Sequence, residues 1–350
     1  MARPGDPQHL VGTRGAAPFD IVRAAHAELR VTDLGRAREF YVDRLGFVVT
    51  EGTRDALYLR GFEDRHHHCL VVRQGGEAVV DHLALLVASE DDLDRAAAFY
   101  QARGCAARWL RAGDEPGQGR ALRVQDPLGF PIEYFASMER AEPLTQRYDL
   151  HRGGRILRLD HLNLHVPDVQ AGFDYYFGEL GFRCSEYIEA DGPGPGGEDP
   201  TLYAAWLFRK PSVHDVALTL GGGPRLHHLG FWIADSLAIT QLCDQLGGAG
   251  GHHAIERGPG RHGVSNAFYL YLRDPDGHRI ELYTADYWTG DPDFLPKRWS
   301  VEDDQRRSFW GHQVPESWYR ESSLVVDLDG CIVPVREPAT RERSVEILPS

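Results

Sequence analysis

The chain has 350 residues, 42% of them hydrophobic and 26% charged, with a formal net charge of −14. That length suits two domains with cores of their own. The acidic balance excludes a general nucleic-acid binder or a protein drawn to an anionic membrane, and an anionic substrate would need local arginines. Residues 1–20 carry Gly, Pro and Arg but no apolar h-region, so they read as a loose N-terminal arm, not a signal peptide. No apolar run approaches the roughly 18 residues of a membrane span. The five cysteines, Cys69, Cys105, Cys184, Cys243 and Cys331, are scattered, odd in number and form no C-x-x-C pair. That pattern argues against a disulfide framework and for a reducing, cytoplasmic compartment.

After the arm the chain repeats itself. Residues 26–47, HAELRVTDLGRAREFYVDRLGF, match 161–182, HLNLHVPDVQAGFDYYFGELGF. Each has strand-like alternation, a V-T-D or V-P-D turn, and an amphipathic helical stretch stopped at L-G-F. Residues 81–87, DHLALLV, match 227–233, HHLGFWI, and the hairpin-like DPLGFPIEYF at 126–135 matches DPDGHRIELY at 274–283. The expected fold is α+β: two halves at 21–145 and 156–285, each built from two strand–helix–strands modules. The polar stretch 145–156 separates them. The Gly/Pro loop 191–200 has no counterpart in the first half. Residues 286–350, rich in Trp, charge and Pro before a charged tail, read as a C-terminal lid and tail.

His161 and His228 open equivalent strands of the second half, and Glu281 lies on its last strand. Two His and one carboxylate on one face are the ligand set of a mononuclear metal with open positions. Alone, any one of them would more often be an ordinary buried polar residue; three at repeat-defined places point to one divalent ion. Alternation turns the neighbouring His227 away, as a structural residue.

The repeat, together with L-D-H-L-N, H-H-L-G-F, the run ERGPGRHGVSNAFYLYLRDPDGHRIELYT at 256–284 and DYWTGDP at 286–292, resembles type I extradiol dioxygenases of the vicinal-oxygen-chelate superfamily. The resemblance spans about 18 to 330. It implies tandem βαβββ modules forming two half-barrels, with the first half non-catalytic. It implies Fe(II) or Mn(II), one per chain, and O2-dependent opening of a catechol ring beside its diol. The substrate it implies is 3,4-dihydroxyphenylacetate, opened to 5-carboxymethyl-2-hydroxymuconate semialdehyde. His214 would handle protons near O2, Tyr271 would bond substrate oxygens, and His262 would close over the substrate. Asn163 and Trp206 would line the O2 side. Arg257, Arg307 and Trp318 would receive the carboxylate, as charge-assisted donors suit. Alone, Tyr271 and Trp206 would be core aromatics, and the arginines surface ion pairs. The family also suggests a homotetramer. The alternatives are cleavage of a different catechol, a glyoxalase-like isomerase, and a ligand-sequestering protein of the same superfamily.

The first half keeps the ligand types: His26 opposite His161, His82 opposite His228, Glu133 opposite Glu281. Arg123 falls where Tyr271 would be, and His66 falls loosely opposite His214. No equivalent of His262 appears, because the loop GDEPGQGR is shorter. A vestige of duplication, filled by side chains, is the expectation, since a triad without supporting groups often fails to hold a metal.

Overall fold

The computed structural model describes residues 17–194 and 199–339. Most of the N-terminal arm, part of the Gly/Pro loop and the last residues of the tail lie outside the described residues. The first half contains β1 (Ile21–Val31), α1 (Leu34–Arg38), β2 (Val48–Gly52), β3 (Ala56–Arg60), β4 (Leu70–Gln74), β5 (Val79–Val87), α2 (Glu90–Ala102), β6 (Ala107–Leu110), β7 (Ala121–Gln125) and β8 (Pro131–Phe135). The second contains β9 (Ile156–Val166), α3 (Val169–Phe173), β10 (Arg183–Glu189), β11 (Leu202–Phe208), β12 (Val216–Leu220), β13 (Arg225–Ile233), α4 (Ser236–Gly248), β14 (Ile255–Arg261), β15 (Phe268–Arg273) and β16 (Arg279–Thr284).

Strand order in the first sheet is β2-β3-β4-β1-β5-β8-β7-β6, and the second sheet repeats it as β10-β11-β12-β9-β13-β16-β15-β14. Each half is therefore a pair of βαβββ modules. The modules meet along an antiparallel seam, β1 with β5 and β9 with β13.

Local chemistry explains the repeated motifs. The Asp of V-T-D and V-P-D caps a helix: Asp33 accepts from the N–H groups of Gly35 and Arg36, and Asp168 from that of Ala171. Both helices run on into a wider π-type turn, Glu39–Arg44 and Asp174–Glu179, rather than a longer α-helix. The Gly of L-G-F then adopts positive φ, +86° at Gly46 and +71° at Gly181, which ends the helix. In the hairpin turns, Asp126 Oδ1 accepts from Leu128 and Phe130, and Asp274 Oδ1 from Asp276 and His278.

One apolar core runs through both halves. Phe47 packs edge-on against Phe231 with centroids 4.9 Å apart, and Tyr41 donates to Asp274 Oδ2 at 2.9 Å. The extension binds back onto the second sheet. Strand β17 (Lys297–Ser300) pairs with β10, α5 (Glu316–Arg320) follows, and β18 (Ser323–Leu324) pairs with β13. Val325 then bridges to Val80 of the first half. No helix among the described residues is long and apolar enough to cross a membrane.

Candidate metal centre

Strands β9, β13 and β16 are neighbours in the second sheet, and each contributes one side chain at the same level. His161 Nε2 lies 3.2 Å from His228 Nε2 and 2.9 Å from Glu281 Oε2, and His228 Nε2 lies 3.1 Å from the same oxygen. All three residues are at least 97% buried. Donors about 2.1 Å from one ion and at right angles to each other stand about 3.0 Å apart, which is the spacing found.

The surrounding hydrogen bonds decide which ring nitrogens carry protons. His161 Nδ1 sits 3.1 Å from Asp160 Oδ2, an acceptor, so Nδ1 holds the hydrogen and Nε2 is bare. His227 Nε2 donates to the Trp318 carbonyl at 2.9 Å, leaving its Nδ1 as the acceptor for His228 Nδ1–H at 2.6 Å. His228 Nε2 is then bare as well. Two imidazole lone pairs and a carboxylate oxygen converge with no donor among them, an arrangement that a cation or extra protons must neutralise.

The titration behaviour reflects the same crowding. For His161, burial opposes the charged ring, but the bonds to Asp160 and Glu281 outweigh it and push the pKa up to about 9. For His228, burial outweighs the pull of Glu281, and His161 opposes charging too; its pKa falls to about 4. The two rings share one carboxylate, so one proton serves the set and the pair titrates together. Burial raises the pKa of Glu281, yet the surrounding rings of His161, His228 and His262, which favour its charged form, hold it well below the usual range.

A cavity of about 120 Å³ opens beside the triad and is lined by all eleven residues named from the sequence. His214 is buried, with its ring centroid 3.9 Å from that of His161 and its Nδ1 without a partner among the described residues. Burial, then the charges of His161 and Lys210, keep its pKa well below 6.5. His262 donates from Nδ1 to the Arg307 carbonyl at 2.7 Å, so its Nε2 accepts from the Tyr271 hydroxyl at 2.9 Å. Asn163 accepts from Thr219 at 2.7 Å. Arg257 is 95% buried; it donates one N–H to the Arg307 carbonyl, and its guanidinium lies 4.4 Å from the Trp318 ring. Trp206 and Arg307 complete the wall from β11 and the extension.

Two expectations need correcting. His227 does not turn away: a bulge between Leu226 and His228 breaks the alternation and sets both imidazoles side by side. Nor is His66 the counterpart of His214. In the second half Leu162 pairs with Val216, and in the first half Ala27 pairs with Leu70, which places His68 opposite His214. Sequence reading also missed Asp160, although it stands in the quoted L-D-H. A bulge between Leu159 and His161 lets it reach its neighbour's ring. Lys210, which donates to the carbonyls of Asp160 and His214, gave no sequence signal.

Both halves match the family model for the Glyoxalase/Bleomycin resistance protein/Dioxygenase superfamily, at residues 23–134 and 158–282. The chain belongs to that superfamily, and within it to the extradiol ring-cleaving dioxygenases. Among solved structures it is 51% identical to homoprotocatechuate 2,3-dioxygenase from Arthrobacter globiformis, with a TM-score of 0.87 over 92% of this chain and 98% of that one. It is 49% identical to homoprotocatechuate 2,3-dioxygenase from Brevibacterium fuscum in complex with 3,4-dihydroxyphenylacetate, with a TM-score of 0.87 over 92% and 99% of the two chains. A manganese-dependent 2,3-dihydroxybiphenyl 1,2-dioxygenase from Geobacillus genomosp. 3 is 29% identical over 83% of this chain and 94% of that protein.

Proposed function

We propose that the protein is a metal-dependent extradiol dioxygenase that opens the ring of 3,4-dihydroxyphenylacetate to 5-carboxymethyl-2-hydroxymuconate semialdehyde. The observation that carries the reading is the cavity in which three converging metal donors and a buried arginine face one space. His161, His228 and Glu281 would hold one Fe(II) or Mn(II). Bound there, the ion would hold the two catechol oxygens and O2 side by side and let electrons pass between them.

The chain's own groups would position substrate and move protons. Arg257 and Arg307 would offset the substrate's carboxylate inside an acidic protein, with the Trp318 indole N–H as a further donor. Tyr271 would keep its proton, since burial and the Glu281 charge hold its pKa well above 10; it would donate to a ring oxygen when it swings from His262. His214, neutral for the reasons above, can take a proton and return it during ring opening. His262, Asn163 and Trp206 would close the space and exclude water. In this reading residues 156–285 are the catalytic unit, 21–145 the non-catalytic one, and 286–350 a lid and tail.

Five free cysteines fit a cytoplasmic setting. The exposed Trp288, Leu295, Phe309 and Trp310 offer apolar surface for a homotetramer, checked by sedimentation. The function is tested with an oxygen electrode and metal-loaded protein. One O2 should be consumed per 3,4-dihydroxyphenylacetate, with both atoms in the ring-opened product. No uptake with either metal would overturn the reading.

A further inference from the structure

We infer that the first half holds a second divalent-cation site, built from His26, His82 and Glu133. The inference does not rest on the catechol reading. His26 Nε2 lies 3.1 Å from His82 Nε2, and Glu133 Oε1 lies 3.4 Å from the first and 3.8 Å from the second. All three side chains are at least 99% buried. These spacings are slightly looser than in the second half but still within reach of one ion at ordinary metal–ligand lengths.

The supporting shell is present too. His82 Nδ1 lies 3.1 Å from Asp81 Oδ1, as His161 Nδ1 does from Asp160, so His82 presents a bare Nε2 to the triad. Asp81 reaches its neighbour's ring through the same device, a bulge between His82 and Val80. The far oxygen of Glu133 is held by Arg123 Nε at 2.6 Å, which turns Oε1 toward the two rings; Gln118 donates to Oε1 at 2.7 Å and leaves its second lone pair.

Two buried imidazole nitrogens around the triad have no hydrogen-bond partner among the described residues: His26 Nδ1, on the outer edge of its ring, and His68 Nε2. His68 is the register counterpart of His214 and packs its ring 4.8 Å from that of His26. A buried carboxylate facing two bare imidazole nitrogens, with a third imidazole beside them, is neutralised by an ion held between them. The donor set, nitrogen-rich with one carboxylate, selects a first-row divalent transition metal over Mg(II) or Ca(II). Arg123 occupies the place of Tyr271, so this ion is structural and not catalytic.

Ala84 faces His26 where Gly230 faces His161. The His26–Glu133 distance is longer than its counterpart, 3.4 Å against 2.9 Å.

Full-length protein stripped by a chelator and reloaded with Mn(II) should bind two equivalents per chain by elemental analysis. Glu133→Gln and His82→Ala should each bind one and still cleave catechol. His228→Ala should also bind one and not cleave. Glu133→Gln preserves shape, and circular dichroism verifies the fold of each variant. Saturation of the unsubstituted chain at one equivalent overturns the inference, as does retention of two by folded Glu133→Gln.

Discussion

Gly230 lies on β13 directly across from His161. A Cβ placed there would stand 2.1 Å from His161 Cε1 and 2.2 Å from Nε2. Carbon atoms in contact need about 3.5 Å, so Gly230→Ala must move the ring by about 1 Å. Metal ligands tolerate only about 0.2 Å. In the first half, where Ala84 takes this position, the histidine–carboxylate distance is 3.4 Å, against 2.9 Å in the second. Gly230→Ala should therefore weaken metal binding at the second-half site by roughly 10- to 100-fold, the range for disturbed support of a ligand. Turnover at saturating metal should fall as well, because the displaced ring also presses on His214. The assay is a metal titration of stripped protein, read by Mn(II) resonance and by O2 uptake. Gly178→Ala is the control, since a Cβ there meets nothing within 4 Å. An unchanged metal affinity and turnover in Gly230→Ala would refute the steric argument.

His214→Phe should keep metal content and substrate binding while turnover drops about 10²- to 10⁴-fold, the range for a lost acid–base group; rapid-mixing measurements with saturating O2 would expose an unchanged rate. Arg257→Met should weaken 3,4-dihydroxyphenylacetate about 10- to 100-fold but leave 4-methylcatechol nearly untouched, since one charge-assisted bond is worth about 1.5–3 kcal/mol; equal losses for both substrates mean the arginine only supports the wall. Asp126 is buried, and despite hydrogen bonds from the N–H groups of Phe130 and Leu128 its pKa is pushed up to about 7. A carboxylate raised this way contributes stability below pH 4 that is lost as pH climbs through 7, at most about 4 kcal/mol. Asp126→Asn should flatten that loss and raise the melting temperature at pH 8, whereas parallel pH profiles for the two proteins would show that Asp126 ionises freely.

The candidate triad was legible because duplication left its members at equivalent places in two copies of one pattern. The V-T-D, V-P-D and hairpin turns were legible because Asp33, Asp168, Asp126 and Asp274 act within a few residues of themselves, the first two turning out to be helix caps. What escaped depends on register. A one-residue bulge reverses which way a side chain points, and no composition signal marks the bulges at His227, Asp160 and Asp81. Among His66, His67 and His68, only the pairing of Leu70 with Ala27 identifies the ring opposite His214. Lys210 escaped for another reason: it acts on the Asp160 carbonyl, 50 residues away in sequence, which only the folded sheet brings near.

The difference between the halves lies in what surrounds two similar triads. In the second half the residues facing the triad are Asn163, Thr219, Trp206 and Tyr271, neutral groups that leave an open cavity. Strand register places Glu28 opposite Asn163, Arg73 opposite Thr219, Tyr58 opposite Trp206 and Arg123 opposite Tyr271. Those four are tied into ion pairs and hydrogen bonds, and Glu28, Arg73 and Arg123 line a groove that His26, His82 and Glu133 do not line. Arg73 grips Glu28 through two nitrogens at 2.7 and 3.0 Å, and also bonds Tyr58 and Glu115. Arg123 ties Glu133 to Asp81. A catechol reaching the first triad would have to break these partly buried, paired charges, and leaving one unpaired costs on the order of 3–5 kcal/mol. On the proposed reading, charge pairing would keep substrate away from the first triad, and ring cleavage would fall to the half where the same positions are neutral. Replacing Arg123 by Tyr alone would not create a second active site: it would free Glu133 Oε2 but leave the Arg73–Glu28 ion pair where the second half has Thr219 and Asn163. Such a variant should bind metal and still consume no additional O2, which comparison of Arg123→Tyr with and without Glu281→Gln would reveal.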